Sequence, residues 1–247
     1  MDRLIYVAMT GAAQTLTQQA TVAHNLANVG TTGFRAEYNM FRAVPVVGQG
    51  APTRTFAIDT TVGANFAQGA LQHTGRDLDV AVQGSGWIAV QGADGREAYT
   101  RNGNLQLSPN GLLQTREGRP VMGEGGPISI PPDTSVTIAK DGTISAVQSG
   151  TKPSTVVTVG RIKLVDPPPA QLVKGGDGLF RLSTGADAPA DNAVTLASGT
   201  LEGSNVNVVE AMVTMIGLAR QFDMQMKMLQ NADNNERQAG QILNMNR

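Results

Sequence analysis

Asp77 and Asp79 sit two residues apart in Gly75-Arg76-Asp77-Leu78-Asp79-Val80. On a strand they would share a face, and paired carboxylates are the equipment of acid–base chemistry. Such a pair has to stand about 5–9.5 Å apart across a cleft. Here the flanking glycine and arginine read instead as a turn with an Arg partner, and a hydrolase built on Asp77 or Asp79 is the weakest functional alternative. The two histidines, His24 and His73, lie near no carboxylate cluster or marked nucleophile, so no Ser-His-Asp relay is spelled out. Gly84-Ser85-Gly86 lacks the G-x-S-x-G frame, and Gly123-Glu124-Gly125-Gly126 lacks the Lys and Thr of a phosphate loop. Asp141 and Asp177 open no calcium-loop pattern. With no cysteine, thiol nucleophiles, disulfides and Cys-ligated metals are excluded. The expectation is no catalytic, cofactor-binding or metal-ligating residue, and no enzyme.

Composition narrows the partners. The 247 residues carry 19 Lys and Arg against 20 Asp and Glu, and only 16% of the chain is charged. A net charge of −1 offers no surface for nucleic acid or anionic membrane, and 4% aromatics leave few platforms for stacked bases. No stretch approaches the ~18 apolar residues of a membrane span. The opening Met1-Asp2-Arg3-Leu4-Ile5-Tyr6-Val7-Ala8-Met9 has too short an apolar run for a cleaved signal peptide. The length suits one or two domains, and 29 Gly with 12 Pro fit a turn-rich β protein.

The ends of the chain differ from its middle. Between Arg3 and Arg35 there is no Lys, Arg, Asp or Glu. Ile5, Met9, Ala12, Leu16, Ala23 and Leu26 keep a 4,3 spacing, interrupted by Gln19, which predicts a heptad seam on a helix. A second face, Thr10, Gln14, Thr17, Thr21, Asn25 and Asn28, is polar but uncharged. Two readings of it stay open, burial against other helices or ordinary solvation. The helix should stop near Asn28, with Gly30 and Gly33 as caps and breakers.

At the other end, Asn207 and Glu210 have the spacing of a capping box. Val208, Met212, Met215, Ala219, Phe222, Met226 and Leu229 hold the 4,3 spacing, and the seam then shifts to Ala232, Ala239 and Leu243. Asp223 with Lys227 and Asp233 with Arg237 are favourably oriented i,i+4 pairs. Residues 208–244 would extend roughly 55 Å at ~1.5 Å per residue. Two such helices are most simply explained by packing on each other.

Between them, Asp94-Gly95, Asn102-Gly103, Asn110-Gly111 and Asp141-Gly142 are hairpin dipeptides among short β-rich runs: 87–90, 105–107, 136–138, 156–159, 161–165 and 179–182. The spacing suits an antiparallel Greek-key or barrel-like domain. The expected class is α+β: N- and C-terminal coiled-coil helices flanking a mainly antiparallel β middle. Residues 1–30 and 204–247 would form one discontinuous helical polymerisation domain, 31–74 an extended connector, and 75–203 the β domain.

The stretch from Asn25 to Arg35, Asn-Leu-Ala-Asn-Val-Gly-Thr-Thr-Gly-Phe-Arg, resembles the N-terminal signature of bacterial flagellar rod and hook proteins. Gly203-Ser204-Asn205-Val206-Asn207-Val208-Val209-Glu210-Ala211-Met212-Val213 resembles their closing signature, with Asn207 where many relatives place Asp. The middle, from Gly75 onward, looks like the family's D1-type domain. Length and opening residues look most like a proximal-rod member, with a distal-rod member as the alternative. The resemblance implies a subunit exported uncleaved by the flagellar type III apparatus. It would polymerise with copies of itself and other rod subunits into the periplasm-spanning drive shaft of the basal body, for motility. The assembly interface would comprise Ile5, Met9, Ala12, Leu16, Leu26, Val208, Met212, Met215, Phe222, Met226 and Leu229. Asn25, Asn28, Gly30, Thr31, Gly33 and Phe34 would be the joint that turns the chain out of the first helix. A secreted β-domain adhesin or glycan-binding module with helical oligomerisation ends is the alternative from another class.

Overall fold

A computed structural model describes residues 2–45, 55–132, 134–148 and 156–245. Helix α1 spans Asp2–Ala27 and helix α2 spans Val208–Met245, with a mainly antiparallel β region between them. The chain divides into two compact units. One contains Met1–Val29, Ala36–Asn65 and Val206–Arg247, the other Gly30–Arg35 and Phe66–Asn205.

In the first unit α1 packs on α2, with Gln225 of α2 lying over Gly11 and accepting a bond from the Thr15 hydroxyl at 3.4 Å. The buried side of α1 is Ala8, Ala12, Thr15 and Asn25, with Gln19, Val22 and Leu26 partly covered. Met9 and Leu16, expected in the seam, are about half exposed at 53% and 49%, and Ala23 is exposed with them. The expected seam mixed two neighbouring rows, because residues one apart are only ~100° apart on a helix. The threonine face matches neither reading in full. Thr10, Thr17 and Thr21 donate to carbonyls of their own helix at 2.9–3.2 Å and need no outside partner, while Asn25 of the same face is buried.

In α2 the covered positions are Val208, Ala211, Met215, Leu218, Phe222, Gln225, Leu229 and Ala232, an unbroken 3,4 spacing. Of the expected seam, Val208, Met215, Phe222 and Leu229 lie on this side, while Met212, Ala219 and Met226 are exposed. The expected shift at Ala232 is part of the same unbroken row, and the side chains of Ala239 and Leu243 fall outside those described. Asn207 caps the helix as expected, its Oδ1 accepting from the Val209 and Glu210 amides at 3.1 and 3.3 Å. Asp233 and Arg237 pair at 2.8 Å, the one of the two expected pairs that forms among the described residues.

Residues 31–74, expected as an extended connector, contain a hairpin. Strand β1 (Glu37–Pro45) pairs antiparallel with β2 (Thr55–Ala64), with a bulge between Met40 and Phe41. Tyr38, Met40, Phe41 and Ile58 remain exposed on it.

The second unit is a β body. Strands β3 (Leu71–His73) to β6 are short, with β4 (Val80–Gln83), β5 (Trp87–Gln91) and β6 (Glu97–Thr100) largely buried. Four small strands follow: β7 (Leu105–Leu107), β8 (Leu113–Thr115), β9 (Met122–Gly123) and β10 (Gly126–Pro127). β11 (Thr134–Ile138), β12 (Thr143–Gln148) and β13 (Val156–Arg161) form a three-stranded sheet in that order. The remaining strands are β14 (Leu164–Val165), β15 (Leu172–Lys174), β16 (Phe180–Leu182), β17 (Thr195–Ser198) and β18 (Thr200–Glu202). The largest sheet runs β14-β5-β6-β16-β15, and the pairs β17–β4 and β18–β3 bring the end of the body back to its beginning. One apolar core joins these sheets, centred on Val80, Val82, Ile88, Val90, Leu113, Ile144 and Leu196.

Three of the four hairpin dipeptides make turns, with Gly95, Gly111 and Gly142 at φ 78°, 77° and 85°. Asn102-Gly103 does not. Gly103 lies against the Val80 backbone, where a Cβ would stand 1.7 Å from the carbonyl oxygen, so glycine is needed there for closeness and not for a turn.

Candidate functional site

The expected joint residues straddle the boundary between the two units. Asn25, on α1, holds the first residue of β1 in two bonds: its Nδ2 donates to the Glu37 carbonyl at 2.7 Å, and the Glu37 amide donates to its Oδ1 at 2.8 Å. A side-chain amide thus imitates the paired backbone bonds of a strand neighbour. His24 Nδ1 lies 3.1 Å from the Glu37 carboxylate, and Asn28 donates through Nδ2 to the His24 carbonyl at 2.9 Å, closing the helix end. Gly30 has neither a positive φ nor a crowded Cβ position, so nothing in its geometry demands glycine.

Gly33 is different. Its φ is +70°, and a Cβ would meet the Arg101 carbonyl carbon at 2.4 Å and the Asn102 nitrogen at 2.5 Å. Its amide donates to the Glu202 carbonyl at 2.8 Å, while the Phe34 amide closes a turn on the Thr31 carbonyl at 3.3 Å. The Phe34 carbonyl accepts from the Asn205 amide at 3.3 Å, and Lys174 Nζ sits 4.2 Å above the Phe34 ring. Thr31 itself is exposed.

Beside this turn lie the charges that the sequence concealed. Arg35 is fully buried, with its Nη2 2.7 Å from Glu202 Oε1, and Arg101 places Nη1 3.1 Å from Glu202 Oε2. The Glu202 carboxylate also accepts from the Gly69 amide at 2.8 Å. Arg101 donates through Nη2 to the Gly84 carbonyl at 2.8 Å, and burial pushes its pKa down against the opposing pull of Glu202. Both guanidiniums lie over Trp87, at 5.9 and 5.3 Å from the ring centroid. Trp87 in turn packs on Phe180 at 4.6 Å and edge-on to Phe66 at 5.9 Å.

Arg35, Arg101, Glu202 and Trp87 were not singled out from the sequence. Arg35 is visible there only as the first charge after a neutral run, and Glu202 as the last charge before the closing signature. Either would ordinarily be solvated.

The other candidates carry no relay. A cleft of about 550 Å³ lies beside Trp87, walled by Phe66, Arg101, Asp166 and Pro167–Pro169, and in it Ser85 donates to Asp166 at 2.8 Å with no histidine in the lining. Asp79 is buried and pairs with Arg76 at 3.3 Å, the turn with an Arg partner expected for this motif. Among the described residues no three His, Asp or Glu side chains gather into a metal-binding group, and no helix is long and apolar enough to cross a membrane.

The arrangement defines a class of protein: a β body whose buried ion pairs hold together the segments next to two terminal helices. Comparison with known proteins makes that class specific. The flagella basal body rod protein family matches residues 5–35, the flagellar hook protein FlgE/F/G D1 domain residues 81–146, and the flagellar basal body rod FlgEFG protein C-terminal family residues 197–242. The flagellar basal-body rod protein FlgF of Salmonella typhimurium is 52% identical over 99% of this chain and 100% of its own. FlgF of Caulobacter vibrioides is 36% identical over 94% of each chain, and FlgG of Borreliella burgdorferi 30% identical over 95% of this chain and 96% of its own. The chain belongs to the flagellar basal-body rod protein family. It is a structural subunit of the rod and not an enzyme.

Proposed function

We propose that this subunit sits in the proximal part of the rod and polymerises through the outward faces of its terminal helices into the shaft that carries torque across the periplasm. The observation that carries this reading is the apolar outer side of both helices. Tyr6, Met9 and Leu16 of α1 are each about half exposed, and Val209, Val213 and Ile216 of α2 are 71%, 64% and 56% exposed. Val209, Val213 and Ile216 lie opposite the covered row of α2, and a helix that is apolar on opposite sides is suited to being covered on both. In this account Met9, Leu16, Met212 and Met226 meet neighbouring subunits. Ala12, Val208, Met215, Phe222 and Leu229 hold α1 and α2 together in a coiled-coil-like pair, and Ile5 and Leu26 sit at its margins. Asn25, Asn28, Gly30, Thr31, Gly33 and Phe34 form the joint.

The greater identity to a FlgF (52%) than to a FlgG (30%) supports the proximal position over the distal one. The partners are further copies of the chain and other rod subunits, reached after export by the flagellar type III apparatus. Leu16→Asp and Ile216→Asp test the outward faces. In cells whose own copy is deleted, each variant should keep wild-type helicity by circular dichroism yet give no completed rods and no swimming. Normal rods and motility in both variants would refute the interface.

A further inference from the structure

The chain passes between the two units at 29/30, 35/36, 65/66 and 205/206. Three segments of the body lie next to those passages: residues 30–35, 66–70 and 200–205. Within the body all three are stitched around one residue. Glu202 accepts the Gly33 amide on its carbonyl, the Gly69 amide on Oε1 and Arg101 on Oε2, and Oε1 also stands in an ion pair with Arg35, whose guanidinium nitrogens make no hydrogen bond of their own. Its backbone pairs with Leu71 in the β18–β3 ladder. Outside Glu202 the three segments share three further bonds: Gly203 amide to Ala70 carbonyl at 2.8 Å, Asn205 Nδ2 to Ala67 carbonyl at 2.9 Å, and Asn205 amide to Phe34 carbonyl at 3.3 Å.

The carboxylate is the only negative charge between two buried guanidiniums, Arg35 and Arg101, among the described ion pairs. Removing it leaves two buried like charges without their shared counter-ion, a change costlier than losing one hydrogen bond. The core of Val80, Ile88, Leu113 and Ile144 makes no use of that charge.

We propose that Glu202 is the positioning residue of the joint: its carboxylate locks the three segments together within the β body, and the assembled subunit relies on this lock. The second half rests on the rod reading given above; the first does not. Glu202→Gln keeps shape and removes charge. Hydrogen exchange on the full chain should show the Gly33 and Gly69 amides exchanging on the order of 100-fold faster, with the Leu113 and Val121 amides changed less than about threefold.

Arg35→Met, which removes one guanidinium, should loosen Gly33 in the same way, and Arg35→Lys should restore part of the protection; this pair serves if the Glu202 variant does not fold. Unchanged exchange at Gly33 and Gly69 in both Glu202→Gln and Arg35→Met would overturn the lock, and so would acceleration of all four amides together. Loosened segments in cells that still swim normally would overturn its use in the assembled subunit while leaving the rod reading intact.

Discussion

Arg181 grips Asp177 with two bonds, Nη1 to Oδ1 at 3.0 Å and Nη2 to Oδ2 at 2.8 Å, and reaches Asp94 at 3.6 Å. These bonds outweigh burial and hold the Asp177 carboxyl below its ordinary value of 3.8, while the same pairing raises the Arg181 guanidinium above its own. A carboxylate depressed in the folded state stabilises above the unfolded pKa and loses that contribution as pH falls through the folded one. Asp177→Asn should therefore cost about 1 kcal/mol at neutral pH in urea unfolding, with the gap to wild type closing below about pH 4. Single residues were legible where their partner is close in sequence, as with Asn207 and its amides or Arg76 and Asp79. Arg35 and Glu202 were not, because what buries them is the return of β18 onto β3, a fact of topology that no local pattern encodes.

Helices and strands were legible to the extent that one of their sides is covered. α1 and α2 stand close to where the periodicity puts them, and Asn207 marks the start of α2. Their expected seams are only partly covered within the chain, because both helices carry apolar residues on more than one side and the 4,3 rule accepts either row. The hairpin of β1 and β2 reads in the sequence as a connector; its described side chains Tyr38, Met40, Phe41 and Ile58 are exposed, so among them no buried face imposes a period of two. The distinction between rows has a measurable consequence. Phe222 faces the covered side of α2, so Phe222→Ala should destabilise the helical unit by about 2 kcal/mol, lowering the helical melting transition while the β body melts as before. Ile216, on the open side, should show no such loss in the isolated subunit.

As a whole, the molecule joins an ordinary core to ends that a solitary protein would have reason to hide. The β body buries its apolar residues in one cluster, whereas the helical unit leaves Met9, Leu16, Val209, Val213 and Ile216 open. Composition carried this contrast from the start: a run without charge from residue 4 to residue 34 suits a helix crowded on several sides by neighbours. A cryo-EM map of the intact basal body at side-chain detail is the most direct test of the central claim. It should show Leu16, Val213 and Ile216 buried against adjacent subunits, with the α1–α2 contact through Gln225 retained. Subunits joined only through their β bodies, with those helical side chains still facing water, would contradict it.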